Sequence, residues 1–187
     1  MAVPPQHAKE QVFELFNKVD AKKHRGELLM KLQFLPAGKL TIRCHSAKGL
    51  RNRDTLGRQD PYVIFTTSGE CHRIQERTHV DQDGGTEPTW DCDVEMRVVA
   101  HHELWIECSD HDAIGSDDLI GKCKLSLLPV FKRGLIDTWV TIKEETEWGK
   151  PKPAGDIHLI FEFEAPPGIR YPQHAPGIDS FDEKDRI

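Results

Sequence analysis

The sequence has no apolar run long enough to span a bilayer, which argues against a membrane-spanning helix. It also lacks an excess of basic residues, because 25 Lys and Arg face 31 Asp and Glu, for a net charge of −6. This balance argues against a nucleic-acid-binding domain, which is usually strongly basic. The amino terminus shows neither a signal-peptide pattern nor a glycine at position 2 for myristoylation. We therefore expect a cytosolic protein.

Cysteine is scarce, and its spacing does not suggest metal ligands. The five cysteines include no Cys-x-x-Cys pair, which disfavours zinc, and their odd number disfavours a disulfide framework. Cys44, Cys92, Cys108 and Cys123 instead alternate in phase with neighbouring apolar residues. Because free cysteine behaves as a small buried hydrophobe, we predict that these four side chains pack in a core.

Short alternating runs fill the middle of the chain, separated by Gly, Pro, Asp and Asn clusters. They predict nine strands, at 28–34, 39–46, 62–67, 72–78, 90–98, 103–109, 121–127, 138–143 and 157–163. So many short strands with turn residues between them predict an all-β antiparallel sandwich. The 187 residues allow one full domain with extensions or two very small domains.

The two ends of the chain have other patterns. Val12, Phe13, Phe16 and Val19 recur at helical spacing and predict a short amphipathic helix within 8–24. That helix would dock on the domain or contact a protein partner or a membrane. The end of the chain is rich in proline and then acidic, which is typical of a flexible tail. The expected division is an extension over 1–25, a domain over 26–165 and a tail over 166–187.

Acidic residues gather in two stretches, each followed at once by a strand-like run. They are Asp54 and Asp60 in the first stretch and Asp110, Asp112, Asp117 and Asp118 in the second. Carboxylates so close together repel, at roughly 4 kcal/mol per pair at 4 Å near a protein surface. A cation would relieve that repulsion. Oxygen ligands without nearby cysteine favour calcium, which takes six to eight oxygens in a flexible geometry.

Two other readings of these residues fit the sequence less well. The second acidic stretch starts as an EF-hand loop does, but its fifth position is Ile114, and Gly121 stands where a bidentate glutamate is needed. For an enzyme, no Ser or Cys nucleophile lies in an elbow motif, and the pair at His101 and His102 falls in a predicted turn. We therefore predict a binding protein without catalytic residues.

Five segments match the motifs of one family, in the order that the family has them. They are Gly38–Leu50, Asp60-Pro-Tyr-Val63, Thr86-Glu-Pro-Thr-Trp90, Asp110-His-Asp112 and Asp118-Leu-Ile-Gly121. In these segments the chain resembles the C2 domain, the calcium- and lipid-binding module of synaptotagmins and protein kinases C. The likeness covers about 26–165 and implies an eight-stranded antiparallel β-sandwich. Glu87 departs from it, standing where the family usually has asparagine.

The resemblance also implies a set of calcium ligands. The implied ligands are the carboxylates of Asp54, Asp60, Asp110, Asp112 and Asp118, with the backbone carbonyls of His111 and Ser116. Gly115 departs from the family, which often has a serine there, so an outermost calcium site would be weakened. Asp117 is an additional acid without an assigned role, and we expect it to be solvated.

The function that the resemblance implies is calcium-dependent docking on anionic phospholipid membranes. Leu56 and Ile114 stand where relatives carry hydrophobic residues that insert into the bilayer. Arg51, Arg53 and Arg58 surround the first acidic stretch and would be attracted to an anionic leaflet. The alternative function is a calcium-independent protein-interaction or scaffold domain.

One strand too many is predicted for this fold. Gly26–Phe34 and Gly155–Phe163 share a pattern of glycine, an acid and alternating apolar residues that ends in phenylalanine. The family has two circularly permuted topologies, in which one sheet position is filled by either an amino-terminal or a carboxy-terminal strand. We favour the carboxy-terminal strand, because its Ile and Phe residues would bury more apolar surface.

Overall fold

The computed structural model describes residues 9–16, 24–32, 37–53, 57–68, 72–113, 115–144 and 150–168, the first two of these ranges by their backbone alone. In chain order the elements are β1 (Lys9–Phe16), β2 (His24–Leu32), β3 (Ala37–Lys48), β4 (Pro61–Ser68), β5 (Arg73–Arg77), β6 (Thr89–Val99), β7 (Glu103–Asp110), β8 (Asp118–Ser126), α1 (Leu128–Arg133), β9 (Leu135–Glu144) and β10 (Lys152–Glu164). No described helix is both long and apolar enough to cross a membrane.

Eight strands form one antiparallel sheet in the order β5-β4-β7-β8-β9-β10-β3-β6. Among the described residues, a single pair, Lys122 with Lys143, joins β8 to β9. The strands therefore divide into two halves of four, and the apolar core draws on both halves. Typical core side chains are Leu40, Ile42, Cys44, Leu104, Ile106 and Cys108. The predicted all-β antiparallel fold is confirmed.

The amino-terminal segment differs from its prediction. Where a helix was expected within 8–24, Lys9–Phe16 forms β1, which pairs with β2 so that Phe13 lies opposite Leu28. A short isolated helix is marginal in water, Val and Phe favour strands, and β2 supplies a full hydrogen-bonding ladder. The rest of the predicted helix, 17–23, lies outside the described residues.

The carboxy-terminal strand lies inside the large sheet. β10 pairs with β9 on one side and with β3 on the other. Its inward side chains, Ile157, Leu159, Phe161 and Phe163, are buried. β2, the other candidate for this position, pairs with β1 in a separate two-stranded sheet.

The cysteines lie where alternation placed them. Cys44, Cys108 and Cys123 are buried and Cys92 is half-buried, all as free thiols, while Cys71 lies outside the described residues. Burial raises the pKa of Cys123 to about 12 and raises the pKa values of Cys44 and Cys108 as well. Such thiols stay protonated, so they serve packing rather than chemistry.

A close approach near Gly155 sets the start of the first acidic loop. The backbone of Gly155 has φ 131°, and a Cβ there would come within 2.7 Å of the Leu50 side chain. Only glycine fits this position without strain. The chain leaving β3 therefore lies against β10, where the Arg51 N–H donates to the Ala154 carbonyl at 2.9 Å.

Candidate functional site

Strand register brings the two acidic stretches to one edge of the sheet. The first stretch ends at Asp60, directly before β4, and the second joins β7 to β8. β4 and β7 are antiparallel neighbours, and Pro61 lies opposite Asp110. β8 begins at Asp118, which also lies opposite Asp110. Three of the predicted ligands, Asp60, Asp110 and Asp118, thus meet at one end of the molecule.

Backbone amides hold two of these carboxylates. The Asp60 N–H donates to Asp110 Oδ1 at 2.6 Å, and the Asp83 N–H donates to Asp60 Oδ1 at 2.7 Å. The His111 N–H donates to the Asp60 carbonyl at 3.0 Å, so the two loops are bonded to each other in both directions. Asp110 is only 3% exposed. A buried carboxylate needs such donors, because an unpaired buried charge is costly.

Asp117 is exposed, as the sequence suggested, but it also has specific partners in the second acidic loop and in β4. Its Oδ2 accepts the Tyr62 hydroxyl at 2.7 Å, and its Oδ1 accepts the Asp112 N–H at 3.1 Å. The His111 ring lies 3.2 Å from the same Oδ1. Asp117 therefore closes the second acidic loop on itself and ties it to β4.

These contacts shift both partners' pKa values. The Tyr62 hydrogen bond, more than any other cause, lowers the pKa of Asp117 below its ordinary value. Burial is the largest cause that raises the pKa of Tyr62, and the hydrogen bond to Asp117 is the second largest. The bond is thus one between a neutral phenol and an ionised carboxylate, which is a strong type of hydrogen bond.

A buried glutamine braces the first acidic loop. Gln59 is fully buried, its Oε1 accepts the Arg53 N–H at 3.1 Å, and its Nε2 donates to the Gly85 carbonyl at 2.9 Å. Beyond Asp60, the Trp90 indole N–H donates to the Pro61 carbonyl at 3.0 Å. The sequence analysis did not single out Gln59, because a polar residue beside Asp60 in a polar loop carries no local sign of burial.

The remaining predicted ligands are placed as follows. Asp112 is half-buried, and His111, Ser116 and Asp118 are exposed. Asp54, together with the predicted membrane-contacting residues Leu56 and Ile114, lies outside the described residues. Where the Asp54 carboxylate lies relative to those of Asp60, Asp110, Asp112 and Asp118 therefore stays a prediction.

The predicted basic residues have partners inside the protein. Arg51 and Arg53 both form ion pairs with Glu144 at the end of β9, the second of them at 3.4 Å. Arg58 contacts the Gly84 carbonyl at 3.5 Å. Glu144 thus anchors the start of the first acidic loop and offsets part of the positive charge that was expected there.

The carboxylate oxygens at this edge suit a hard cation, but the described residues supply only part of the implied ligand set. Its side chains are all carboxylates, which are the ligands that calcium prefers. Within the described ranges, however, no group of three or more His, Cys, Asp or Glu is arranged to hold a metal ion. The described carboxylates alone therefore do not form a closed site.

Comparisons with known proteins identify the fold's relatives. Elicitor-responsive protein 3 of Oryza sativa subsp. japonica is 32% identical over 119 residues, which cover 62% of this chain and 79% of that protein. Extended synaptotagmin-1 of Homo sapiens is 30% identical over 138 residues, which are 73% of this chain but 11% of that protein. A calcium-bound structure of the extended synaptotagmin 2 C2A and C2B domains matches with a TM-score of 0.56 and 30% identity, covering 70% of this chain and 46% of that one.

A family model gives the assignment directly. The model of the C2 domain matches residues 38–142, which is more than half of the 187-residue chain. The matched segment runs from the start of β3 into β9 and contains both acidic loops. The chain belongs to the C2 domain family.

Proposed function

We propose that this C2 domain binds calcium between its two acidic loops and docks on anionic phospholipid membranes when calcium is bound. The observation that carries the proposal is the convergence of Asp60, Asp110 and Asp118 at one edge, with backbone amides fixing the first two. The likeness to a calcium-bound C2 structure at 30% identity supports it.

The ligands that we propose are those that the sequence predicts. They are the carboxylates of Asp54, Asp60, Asp110, Asp112 and Asp118 and the backbone carbonyls of His111 and Ser116. Bound calcium would offset the negative charge of the loops and offer open coordination positions to lipid phosphate oxygens. Asp117 has a different role in this scheme, since it orients Asp112 through the Asp112 N–H.

Membrane contact is proposed for the loop tips. Without calcium, the carboxylates at this edge repel an anionic leaflet. Leu56 and Ile114 are close in sequence to the ligands, and burial of each in lipid would contribute about 1.5–3 kcal/mol. Arg51, Arg53 and Arg58 would add up to about 1 kcal/mol each. Because Arg51 and Arg53 are paired with Glu144, we assign the larger electrostatic share to Arg58.

Calcium binding is tested by its effect on thermal unfolding. A ligand that binds only the folded state stabilises it, by about 2.7 kcal/mol at one hundred times its Kd. We expect calcium to raise the unfolding midpoint of the native sequence and to leave that of Asp110→Asn/Asp112→Asn unchanged. The control, Asp137→Asn, makes the same chemical change on β9, outside the acidic loops, and should keep the response.

Two results would contradict this proposal. An equal calcium response in the native sequence and the double variant would place the metal elsewhere. No response of the native sequence at millimolar calcium would favour the calcium-independent interaction domain instead.

A further inference from the structure

A β-bulge places two histidines side by side on the solvent face of the sheet. The pairing of β3 skips His45 on both sides, since Cys44 and Ser46 have partners in β10 and in β6 and His45 has none in either register. As a result His45 and Ser46 both face outward, between buried Cys44 and buried Ala47. The bulge brings the His45 ring next to that of His158 on β10, with 5.3 Å between the ring centroids.

Each of the two rings has one nitrogen engaged by a neighbour. His158 Nε2 lies 2.6 Å from Asp137 Oδ1, and His45 Nδ1 lies 3.0 Å from Ser46 Oγ. A carboxylate only accepts, so Nε2 of neutral His158 carries the proton and Nδ1 carries a lone pair. If His45 donates from Nδ1 to the serine, its Nε2 carries a lone pair too. A carboxylate behind an imidazole is the arrangement that orients histidines bound to metals.

The distance between the rings fits a shared metal ion. A metal lies about 2.0–2.1 Å from a ligating nitrogen, and hence roughly 3.2 Å from the ring centre. Two rings at a tetrahedral angle then have centroids about 5.2 Å apart. The observed 5.3 Å matches this separation.

We propose that His45 and His158 form a binding site for a divalent transition metal such as Zn²⁺ or Cu²⁺. Imidazole suits these ions, whereas the carboxylates at the sheet edge suit calcium, so the two sites differ in chemistry and place. With two protein ligands the site is open, and water fills the other positions. A bound ion would bridge β3 and β10 and stabilise the attachment of the carboxy-terminal strand.

The site has a spectroscopic reporter in contact with it. The Trp139 ring stacks on the His158 ring, with centroids 4.9 Å apart and planes 15° from parallel, and the Lys48 ammonium lies 4.1 Å from the Trp139 centroid. Trp139 is 45% exposed. Binding of Cu²⁺, a paramagnetic ion, beside His158 should therefore quench the fluorescence of Trp139.

The first experiment is a Cu²⁺ titration of the full chain followed by tryptophan fluorescence. We expect saturable quenching in the native sequence and at least about 10-fold weaker binding in His45→Asn and in His158→Asn. His79→Asn, which changes an exposed histidine in the segment that follows β5, should titrate like the native sequence. Native-like quenching in both site variants, or equal weakening in the His79 control, would overturn the proposal.

A second measurement separates the metal site from its reporter. Zn²⁺ should raise the unfolding midpoint of the native sequence and of Trp139→Phe, but not that of His45→Asn. The rise should persist in Asp110→Asn/Asp112→Asn, so that failure of the calcium proposal leaves this one testable. No rise in the native sequence, or a rise lost in the aspartate variant but kept in His45→Asn, would overturn the site.

Discussion

A buried histidine in the turn between β6 and β7 makes stability depend on pH. His101 is fully buried, and its Nδ1 accepts the Val99 N–H at 2.8 Å. Because a backbone N–H can only donate, Nδ1 must carry the lone pair, and the ring is neutral. Burial is the main cause that lowers the pKa of His101 below its ordinary value.

The sign of this pH effect follows from the lowered pKa. The folded state holds the His101 proton less tightly than the unfolded state, whose pKa is about 6.5. The stabilisation is therefore complete above about pH 6.5 and is lost as the pH falls through the folded-state pKa. Urea unfolding at a series of pH values should show this loss. His101→Gln keeps a hydrogen-bond acceptor but cannot titrate, so its free energy of unfolding should depend less steeply on pH. An equal slope in the variant and the native sequence would show that His101 does not cause the effect.

The bond between Tyr62 and Asp117 can be measured by a double-mutant cycle. Tyr62→Phe removes the hydroxyl, and Asp117→Asn removes the charge that accepts it at 2.7 Å. Each single change should lower the free energy of unfolding by about 1 kcal/mol. The double variant should lose less than the sum, since the two residues share one interaction. Strict additivity in urea denaturation would show that the bond contributes nothing.

At the scale of elements, the two terminal strands make unequal contributions to the fold. Besides Ala154, β10 buries four large apolar side chains, each stabilising by about 1.5–3 kcal/mol, which is large against a typical total of about 5–15 kcal/mol. Residues 37–187 should therefore fold and respond to calcium, whereas residues 1–152 should not fold. Circular dichroism melting curves of the two truncations decide this. A cooperative transition for residues 1–152 and none for residues 37–187 would show that the amino-terminal strand fills this position in the sheet.

Elements were predictable from the sequence where a local pattern determined them. The expected runs at 39–46 and 103–109 fall inside β3 and β7, because alternation directly reflects which side chains face the core. Helix α1 has six residues and a proline in its first turn, so it is too short to show a helical periodicity of apolar residues in the sequence. Its buried Val130 and Phe131 are held by packing that the sequence does not reveal.

Contacts between distant segments were much harder to predict. No role for Asp117 was predicted, because its partner Tyr62 is 55 residues away and joins it only after β4 has paired with β7. The His45 bulge likewise depends on the register of β3 with two other strands. The acidic edge was expected only through the family resemblance, and the pairing of β4 with β7 is what brings Asp60 and Asp110 together.

At the scale of the whole molecule, the net charge favours membrane binding that depends on calcium over membrane binding without it. The net charge of −6 disfavours contact with an anionic bilayer unless the acidic edge is neutralised. Leu56→Ala/Ile114→Ala provides a useful companion variant, because neither side chain can ligate a metal. In that variant the calcium-induced rise in the unfolding midpoint should persist while binding to vesicles weakens. Equal loss of both would show that the two residues support the loops instead.

The measurement that tests the central claim most directly is cosedimentation with liposomes. The native sequence is mixed with vesicles of phosphatidylcholine, with or without phosphatidylserine, in calcium or in a calcium chelator. We predict that the protein sediments only when phosphatidylserine and calcium are both present, and that Asp110→Asn/Asp112→Asn stays in the supernatant throughout. Sedimentation of the native sequence in the chelator, or none under any condition, would contradict calcium-dependent docking on anionic membranes.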